Sequence, residues 1–309
     1  MLTDVLLTQQ RELEQRLKEP YIERELLNPI RDNDLIKVVS GPRRAGKSFF
    51  AMHWLHSLGP FGYANFDDER LSELTDYDQL VAALDSVYGN PTRLLLDEIQ
   101  NLPKWELFAN RLQRQGRRLV LTGSNAHLLS SELATHLTGR HETLVLLPFS
   151  FAERLQCLQT QLTEPERAAA LRRYLEEGGL PEPALKDVDR RAYLTALWDS
   201  VIYKDIVKRH RIRSVQGIED LGRYLLSNLT SEYASRTLSA VTRCRSVHTV
   251  EKYLRHLEEA FLLFPLTRFS FKVKEQARAN RKVYCIDNGF ATAKGFQFSP
   301  NVGKLCENL

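Results

Sequence analysis

The chain has 309 residues, of which 43% are hydrophobic and 27% charged, and a formal net charge of +4 at pH 7. This is the composition of an ordinary globular protein with room for two domains or one large one, and so small a net charge does not by itself indicate nucleic-acid binding. The sequence has no run of eighteen apolar residues, its N-terminus is too charged for a secretory signal, and its four scattered cysteines fit neither a disulfide framework nor a zinc pattern, so we expect a cytoplasmic protein without a membrane partner.

The first strong motif is GPRRAGKSFF at residues 41–50, which follows a charged helical pattern at 10–18. It lies between an apolar run at 35–39, predicted to be a strand, and a helical pattern at 49–55. A strand, a loop with a glycine at each end and a Lys-Ser pair opening a helix form the P-loop arrangement. Gly41 and Gly46 let successive N–H groups face a phosphate, and the positive end of the helix adds to that field.

The side chains of this loop predict how a nucleotide is held. Lys47 is expected to reach the β- and γ-phosphates, and the Ser48 hydroxyl to ligate Mg²⁺. The two loop arginines, Arg43 and Arg44, could contact either phosphate or a partner surface. The predicted cofactors are ATP and Mg²⁺, and the predicted cofactor-binding residues of the loop are Gly41, Pro42, Arg43, Arg44, Ala45, Gly46, Lys47, Ser48 and Phe49.

Strands and helices then alternate up to about residue 150. Apolar runs predict strands at 61–66, 93–98, 118–122 and 143–147. Helical patterns lie between them at 77–88, 105–114 and 128–137. Continuous apolar strands alternating with helices indicate an α/β fold with a parallel sheet covered on both faces.

Two acids lie at the carboxyl end of the predicted strand at 93–98. The carboxyl ends of parallel strands lie at one edge of a sheet, so Asp97 and Glu98 are expected beside Lys47. Asp97 would hold Mg²⁺ through its water shell, and Glu98 would polarise the water that attacks the γ-phosphate. Ser48 and Asp97 are therefore the predicted metal ligands, and Glu98 the predicted base.

Polar and basic residues after the next strand complete the predicted site. Ser124 and Asn125 should lie at the same sheet edge, where one of them contacts the γ-phosphate or the lytic water and the other caps the next helix. Which of the two faces the nucleotide is left open. Arg140 lies in a turn and could approach a γ-phosphate, either in its own subunit or in a neighbouring one.

The pattern changes at about residue 150. Long helical patterns at 192–210 and 218–228 predict a mainly helical region at 151–230. Two short helices and two strands follow within 231–309, in an order typical of a winged helix. Basic residues at 243–256 could contact the phosphates of duplex DNA, although such folds also serve as packing or protein-contact modules.

Taken together, these segments resemble the prokaryotic AAA+ ATPases that carry a C-terminal domain of unknown function. The matching segments are GPRRAGKS, YANFDDERL, LLLDEIQNLPKWE, LTGSNAHLLS, LTGRHETLVLLPFSFAE, YLEEGGLPEPAL and KVYCIDNGF. The resemblance implies an AAA+ module at 1–150 with sheet order 5-1-4-3-2. It also implies a Walker A motif at Lys47 and Ser48, a Walker B motif at Asp97 and Glu98, sensor 1 at Ser124 or Asn125, and an arginine finger at Arg140. Similar proteins continue past the final Glu-Asn-Leu, which implies that this chain is truncated within a C-terminal domain.

Three functions remain open at this point. The first is an ATP-hydrolysing AAA+ protein whose nucleotide state controls its C-terminal half. The second is a nucleotide-dependent regulator that binds duplex DNA through residues 235–260. The third is an ATP-binding scaffold for an unknown protein partner, with little turnover. The AAA+ resemblance also makes a homo-oligomer possible.

Overall fold

A computed structural model describes residues 2–26, 30–72, 74–124, 139–158, 161–244, 246–296 and 301–309. These residues form two compact units. The N-terminal unit comprises Met1–Gly41 and Gly46–Leu146, and the C-terminal unit comprises Pro42–Ala45 and Leu147–Leu309.

The N-terminal unit is an α/β layer structure. Its helices are α1 (Leu2–Arg16), α2 (Lys47–Leu58), α3 (Glu69–Ser72), α4 (Tyr77–Tyr88) and α5 (Trp105–Arg114). Its strands are β1 (Ile36–Ser40), β2 (Gly62–Asn65), β3 (Arg93–Asp97), β4 (Arg118–Gly123) and β5 (His141–Val145).

The five strands form one parallel sheet in the order β2-β3-β4-β1-β5. This confirms the predicted order, counted from the opposite edge. Register pairs such as Ser40 with Gly123 and Asn65 with Asp97 bring the carboxyl ends of the strands to one edge. The P-loop and the predicted acids both follow strands that end there.

Burial on both faces explains why the strands are continuously apolar. Successive side chains point to opposite faces of a strand, so Leu94 and Leu96 pack in one hydrophobic cluster while Leu95 packs in the other. The first cluster includes Phe108 from α5, and the second includes Met52 from α2. A sheet sandwiched in this way holds its strand ends in fixed positions.

The C-terminal unit is mainly helical, as expected. Its helices are α6 (Phe151–Gln156), α7 (Glu164–Glu177), α8 (Pro181–Leu185), α9 (Arg190–Ser200), a π-helix (Val201–Lys208), α10 (Val215–Ser227), α11 (Ser235–Val241), α12 (Val247–Glu259), α13 (Val273–Arg278), α14 (Asn288–Lys294) and α15 (Val302–Glu307). Its strands β6 (Glu232–Tyr233), β7 (Leu263–Thr267) and β8 (Arg281–Cys285) form an antiparallel sheet in the order β6-β8-β7.

A buried carboxylate is hydrogen-bonded to two separate backbone segments of this unit. Asp287, 4% exposed, accepts hydrogen bonds from the backbone N–H groups of Gly179 at 2.7 Å and Gly289 at 2.8 Å. A Cβ on Gly178, whose φ is +77°, would lie 1.8 Å from an Asp287 carboxylate oxygen. Burial raises the pKa of Asp287 to about 6, against the lowering effect of its backbone donors. The glycine turn at 178–181 is therefore shaped around this side chain.

Several helix predictions need adjustment. The first helix begins at Leu2 rather than near residue 10. The predicted long helix at 192–210 contains α9 and then the π-helix, in which buried Val201, Ile202 and Ile206 face the core. The predicted helix at 128–137 lies outside the described residues. Among the residues that are described, no helix combines the length and the apolar character that a membrane span requires.

Candidate nucleotide site at the carboxyl edge of the parallel sheet

The P-loop connects β1 to α2 and depends on its two glycines. Gly41 has a φ of +145°, and a Cβ there would lie 2.2 Å from the backbone oxygen of Leu146. Gly46 has a left-handed φ of 87° and directly precedes α2, without a side-chain cap hydrogen bond. The N-terminus of α2 is therefore formed by backbone alone, which is the geometry that accommodates a phosphate.

Lys47 is the first residue of α2 and is 5% exposed. Its Nζ donates a hydrogen bond to the Gly41 carbonyl oxygen at 3.1 Å, across the mouth of the loop. The ammonium group is thus held over the backbone that begins the P-loop. Phe49, two residues further along α2, packs against His53, with their ring centroids 5.1 Å apart. It contributes to the packing of α2.

A hydrogen-bonded cluster surrounds Asp97 at the end of β3. Asp97 is 2% exposed, and its Oδ1 accepts from the Ser48 hydroxyl at 2.7 Å and from the Thr122 hydroxyl. Its Oδ2 accepts from the Tyr63 hydroxyl at 3.2 Å. Burial, followed by the Asp97 charge, raises the pKa of Tyr63 well above its usual value, so this hydroxyl remains a donor. These contacts fix the carboxylate beside Ser48, and their hard oxygen atoms fit Mg²⁺.

Glu98 adopts a left-handed φ of 51° immediately after β3. Its backbone N–H donates to the Thr122 hydroxyl at 3.1 Å, and its Oε2 accepts from Gln100 and, at 3.4 Å, from Ser124. Burial raises the pKa of Glu98; the positive charge of Lys47 opposes this and the negative charge of Asp97 adds to it. A carboxylate with a raised pKa is better suited to accept a proton near neutral pH.

The structure describes two of the three remaining predicted residues, and they lie at opposite edges of the sheet. Ser124 is 8% exposed and lies at this edge beside Glu98. Asn125 lies outside the described residues, so its role stays a prediction. Arg140 directly precedes β5, and its carbonyl accepts from the N–H of Ile36 at 3.0 Å. That pairing puts Arg140 at the amino edge of the sheet, five strand residues, or roughly 16 Å, from the carboxyl edge.

The arginines of the P-loop have carboxylate partners in the C-terminal unit, to which Pro42–Ala45 belong. Arg43 makes two hydrogen bonds to Asp205 of the π-helix, Nε at 2.5 Å and Nη2 at 2.8 Å. Arg44 contacts Glu182 of α8 at 3.2 Å. These contacts within the chain are neither of the two predicted alternatives, so contact with phosphate and contact with a partner surface both stay predictions.

Residues at this edge that the sequence did not single out are Tyr63, Gln100 and Thr122. Each bonds to one of the two acids through its side chain. Thr122 lies at the end of a predicted strand, so its position at the edge could have been found from the strand pattern. Tyr63 lies inside β2, and only the packing of β2 against β3 brings it to Asp97.

Two comparisons with protein families together cover most of the chain. Residues 33–155 match a family described as an AAA domain, and residues 168–298 match one described as a domain of unknown function (DUF8612). An uncharacterized protein of Haemophilus influenzae is 30% identical over 308 residues, which are 94% of this chain and 76% of that protein. The chain belongs to the prokaryotic AAA-type ATPases with a C-terminal domain of unknown function.

Further relatives of this AAA-type ATPase are archaeal. An uncharacterized protein of Methanocaldococcus jannaschii is 33% identical over 292 residues, or 89% of this chain, and the match spans 65% of that relative's length. Among solved structures, a Walker-type ATPase of Pyrococcus abyssi has a TM-score of 0.53 at 15% identity, with 93% of this chain and 94% of that chain covered. At this identity the likeness shows a shared fold.

Proposed function

We propose that this AAA-type ATPase binds ATP with Mg²⁺, hydrolyses it, and uses the nucleotide state to control its C-terminal half. The observation that carries the proposal is the arrangement at the carboxyl edge of the sheet. There Lys47 lies over the loop, Ser48 and Asp97 share a 2.7 Å hydrogen bond, and Glu98 follows directly. A phosphate-binding cation, a pair of metal ligands and a base are the groups that phosphoryl transfer to water requires.

Each side chain has a defined task in this proposal. Lys47 exchanges the Gly41 carbonyl for phosphate oxygens and neutralises their charge. Ser48 and Asp97 would hold Mg²⁺, which when bound draws charge from the phosphates. Tyr63 and Thr122 keep the Asp97 carboxylate oriented. Glu98 accepts the proton of the attacking water.

Nucleotide titration and phosphate release test this assignment together. Lys47→Ala should abolish ATP binding, because it removes the buried ammonium group that is held across the P-loop. Lys104→Ala, an exposed lysine outside the site, serves as the matched control. Tight ATP binding without phosphate release by the unaltered chain would favour the scaffold function over hydrolysis.

Control of the C-terminal half is supported by Arg43 and Arg44. The bidentate pair of Arg43 with Asp205 is the stronger contact, because Asp205 is only 12% exposed. Such paired hydrogen bonds fix geometry as well as charge. Phosphates entering the P-loop compete for these arginines, so nucleotide binding should loosen the π-helix that carries Asp205. π-helical turns are frequent at functional sites.

Hydrogen exchange with and without ATP tests this control. In the unaltered protein, residues 201–208 should exchange faster when ATP is bound. Arg43→Ala should raise their exchange without nucleotide and remove the dependence on ATP. Asp199→Asn is the control. Asp199 lies in α9, the helix before the π-helix, and this change removes the negative charge that pairs with Lys294 of α14 at 2.7 Å. An unchanged ATP response in Arg43→Ala would contradict the proposed control.

A role for Arg140 in this scheme requires a second copy of the chain. Its position at the amino edge leaves it too far from Lys47 to act on its own subunit's nucleotide. We therefore place it as a finger acting on a neighbour. Mixing Arg140→Ala with Glu98→Gln, each inactive alone, should restore part of the activity. Failure of the mixture to recover activity would remove Arg140 from catalysis.

Duplex DNA binding through 235–260 is the second candidate function. Two helices followed by the antiparallel strands β7 and β8, with α13 between those strands, support a winged helix. Lys252 and Arg255 lie on the exposed face of α12. Arg245 lies outside the described residues. The expectation that His256 also contacts phosphate is wrong, because its side chain is buried beside Glu259.

The connection between β7 and α13 strengthens this candidate. Phe269 and Phe271 are 73% and 96% exposed, next to the basic Arg268 and Lys272. The two cations add positive charge that can contact the phosphates of a duplex, whereas exposed rings stack on the bases of single strands. Changing Lys252 and Arg255 together to Ala should weaken duplex binding and flatten its salt dependence. Unaltered binding would exclude this face of α12.

A further inference from the structure

Three side chains of kinds that can ligate a metal converge in the C-terminal unit. His210 follows the π-helix, while His256 and Glu259 lie one turn apart on α12. One ligand atom from each of the three lies within 4.8 Å of the other two. His256 Nδ1 is 3.2 Å, and His210 Nε2 is 3.6 Å, from the same Glu259 oxygen.

The burial of this cluster sets it apart from a chance surface grouping. His256 is 8% exposed, and the side chains of His210 and Glu259 are 20% and 34% exposed. The two imidazole rings stack, with their centroids 3.7 Å apart.

We propose that His210, His256 and Glu259 bind a transition-metal ion of the Zn²⁺ class. Two imidazoles and one carboxylate are ligands that zinc accepts, whereas Mg²⁺ and Ca²⁺ prefer oxygen alone. Ligand atoms about 2.0–2.1 Å from a tetrahedral metal lie about 3.3–3.4 Å from one another. The distances of 3.2 and 3.6 Å to the Glu259 oxygen match that spacing. A fourth position would be filled by water.

The bound ion would join two elements that are distant in the chain. His210 is the last helical residue after the π-helix, and α12 begins only at Val247. Binding to the folded state alone raises its stability through mass action. Without metal, His256 hydrogen-bonds to Glu259, and His210 lies 3.6 Å from the same carboxylate oxygen. The two descriptions differ in what happens when zinc is added.

Competition with a chromogenic chelator tests the site in the full chain after removal of metal. The unaltered protein should take up one equivalent of Zn²⁺, and its melting temperature should rise with Zn²⁺ and return with EDTA. Co²⁺ in place of Zn²⁺ should give visible absorption bands of four-coordinate N/O ligation without thiolate bands. The absence of thiolate bands distinguishes this site from metal binding at the exposed Cys306.

Variants locate the ion. His210→Ala and Glu259→Gln should each weaken Zn²⁺ binding more than about 100-fold, beyond the 10–100-fold typical of outer-shell changes. His248→Ala and Glu258→Gln, both exposed on α12, should leave the affinity unchanged. His256→Ala is a further test if it folds, as judged by circular dichroism. Absence of Zn²⁺ uptake, thiolate bands with Co²⁺, or equal affinity in the ligand and control variants would overturn the proposal.

Discussion

Changing Glu98 to Gln separates nucleotide binding from hydrolysis. Gln has nearly the same volume as Glu and keeps an acceptor oxygen for Gln100 and Ser124. It cannot accept the proton of the attacking water. Loss of a general base typically costs 10²–10⁴ in rate, or about 2.7–5.4 kcal/mol of transition-state stabilisation. We expect the turnover rate to fall by that factor while the ATP dissociation constant changes little.

The assay is phosphate release at saturating ATP and Mg²⁺, with binding measured by titration of a fluorescent ATP analogue. Glu106→Gln in α5 removes a carboxylate outside the site and is the matched control. A variant that releases phosphate at the normal rate would show that Glu98 is not the base. A variant that loses ATP binding altogether would show that Glu98 contributes to binding the substrate, not only to the hydrolysis step.

The pH dependence of the same reaction provides a second check. Burial raises the pKa of Glu98, so its ionised form should be lost at a higher pH than for an ordinary glutamate. Activity that requires the carboxylate therefore falls as the pH is lowered through this raised pKa. The sign for stability is opposite: a raised pKa favours the folded state below the unfolded-state value, and that contribution disappears as the pH rises. Glu98→Gln should therefore gain stability relative to the parent as pH increases.

Further predictions concern the glycine loop, the buried Asp287 and Tyr63. Gly41→Ala should destabilise the protein by about 2–5 kcal/mol in urea unfolding, because it combines a left-handed φ with a Cβ against the Leu146 oxygen; Gly59→Ala, with a φ of +116° and no atom within 4 Å, should show the backbone effect alone. Burial raises the pKa of Asp287 from 3.8 to about 6, so its contribution is complete below pH 3.8 and lost above pH 6. The difference in unfolding free energy between Asp287→Asn and the parent should move in the variant's favour by about 2–3 kcal/mol from pH 4 to pH 8, and a difference that does not vary with pH would contradict this assignment. Tyr63→Phe, which removes one donor to Asp97, should raise the Mg²⁺ concentration needed for half-maximal phosphate release while leaving ATP binding intact; equal Mg²⁺ dependence would deny it that role.

Much of the N-terminal unit could be predicted because its signals are local. The P-loop is one continuous stretch of sequence, and its glycines indicate backbone angles that other residues rarely adopt. The apolar runs predicted buried parallel strands, and the resemblance supplied their order, which the sheet confirms. The placement of Asp97 and Glu98 at the carboxyl edge of the sheet followed from the rule that parallel strands end at one edge.

Contacts between distant segments could not be predicted in this way. The sequence did not decide whether Arg43 contacts phosphate or a partner surface. Its hydrogen bond to Asp205 joins residues 162 positions apart in the chain. Arg140 was expected near a γ-phosphate of its own or of a neighbouring subunit, and only the register of β5 against β1 shows that it lies at the sheet edge opposite to its own P-loop. His256 followed the spacing of exposed basic residues on α12 yet lies on the buried side.

The amino-acid sequence alone determined that a phosphate-binding loop is followed by two acids at a strand end, because backbone freedom and apolar periodicity are encoded within a few neighbouring residues. Only the tertiary structure decided which hydroxyls orient Asp97, which carboxylates hold the loop arginines, and which histidines meet at Glu259. These pairings depend on how helices and strands pack in three dimensions, and a side chain's distant neighbours leave no periodic signal in the sequence.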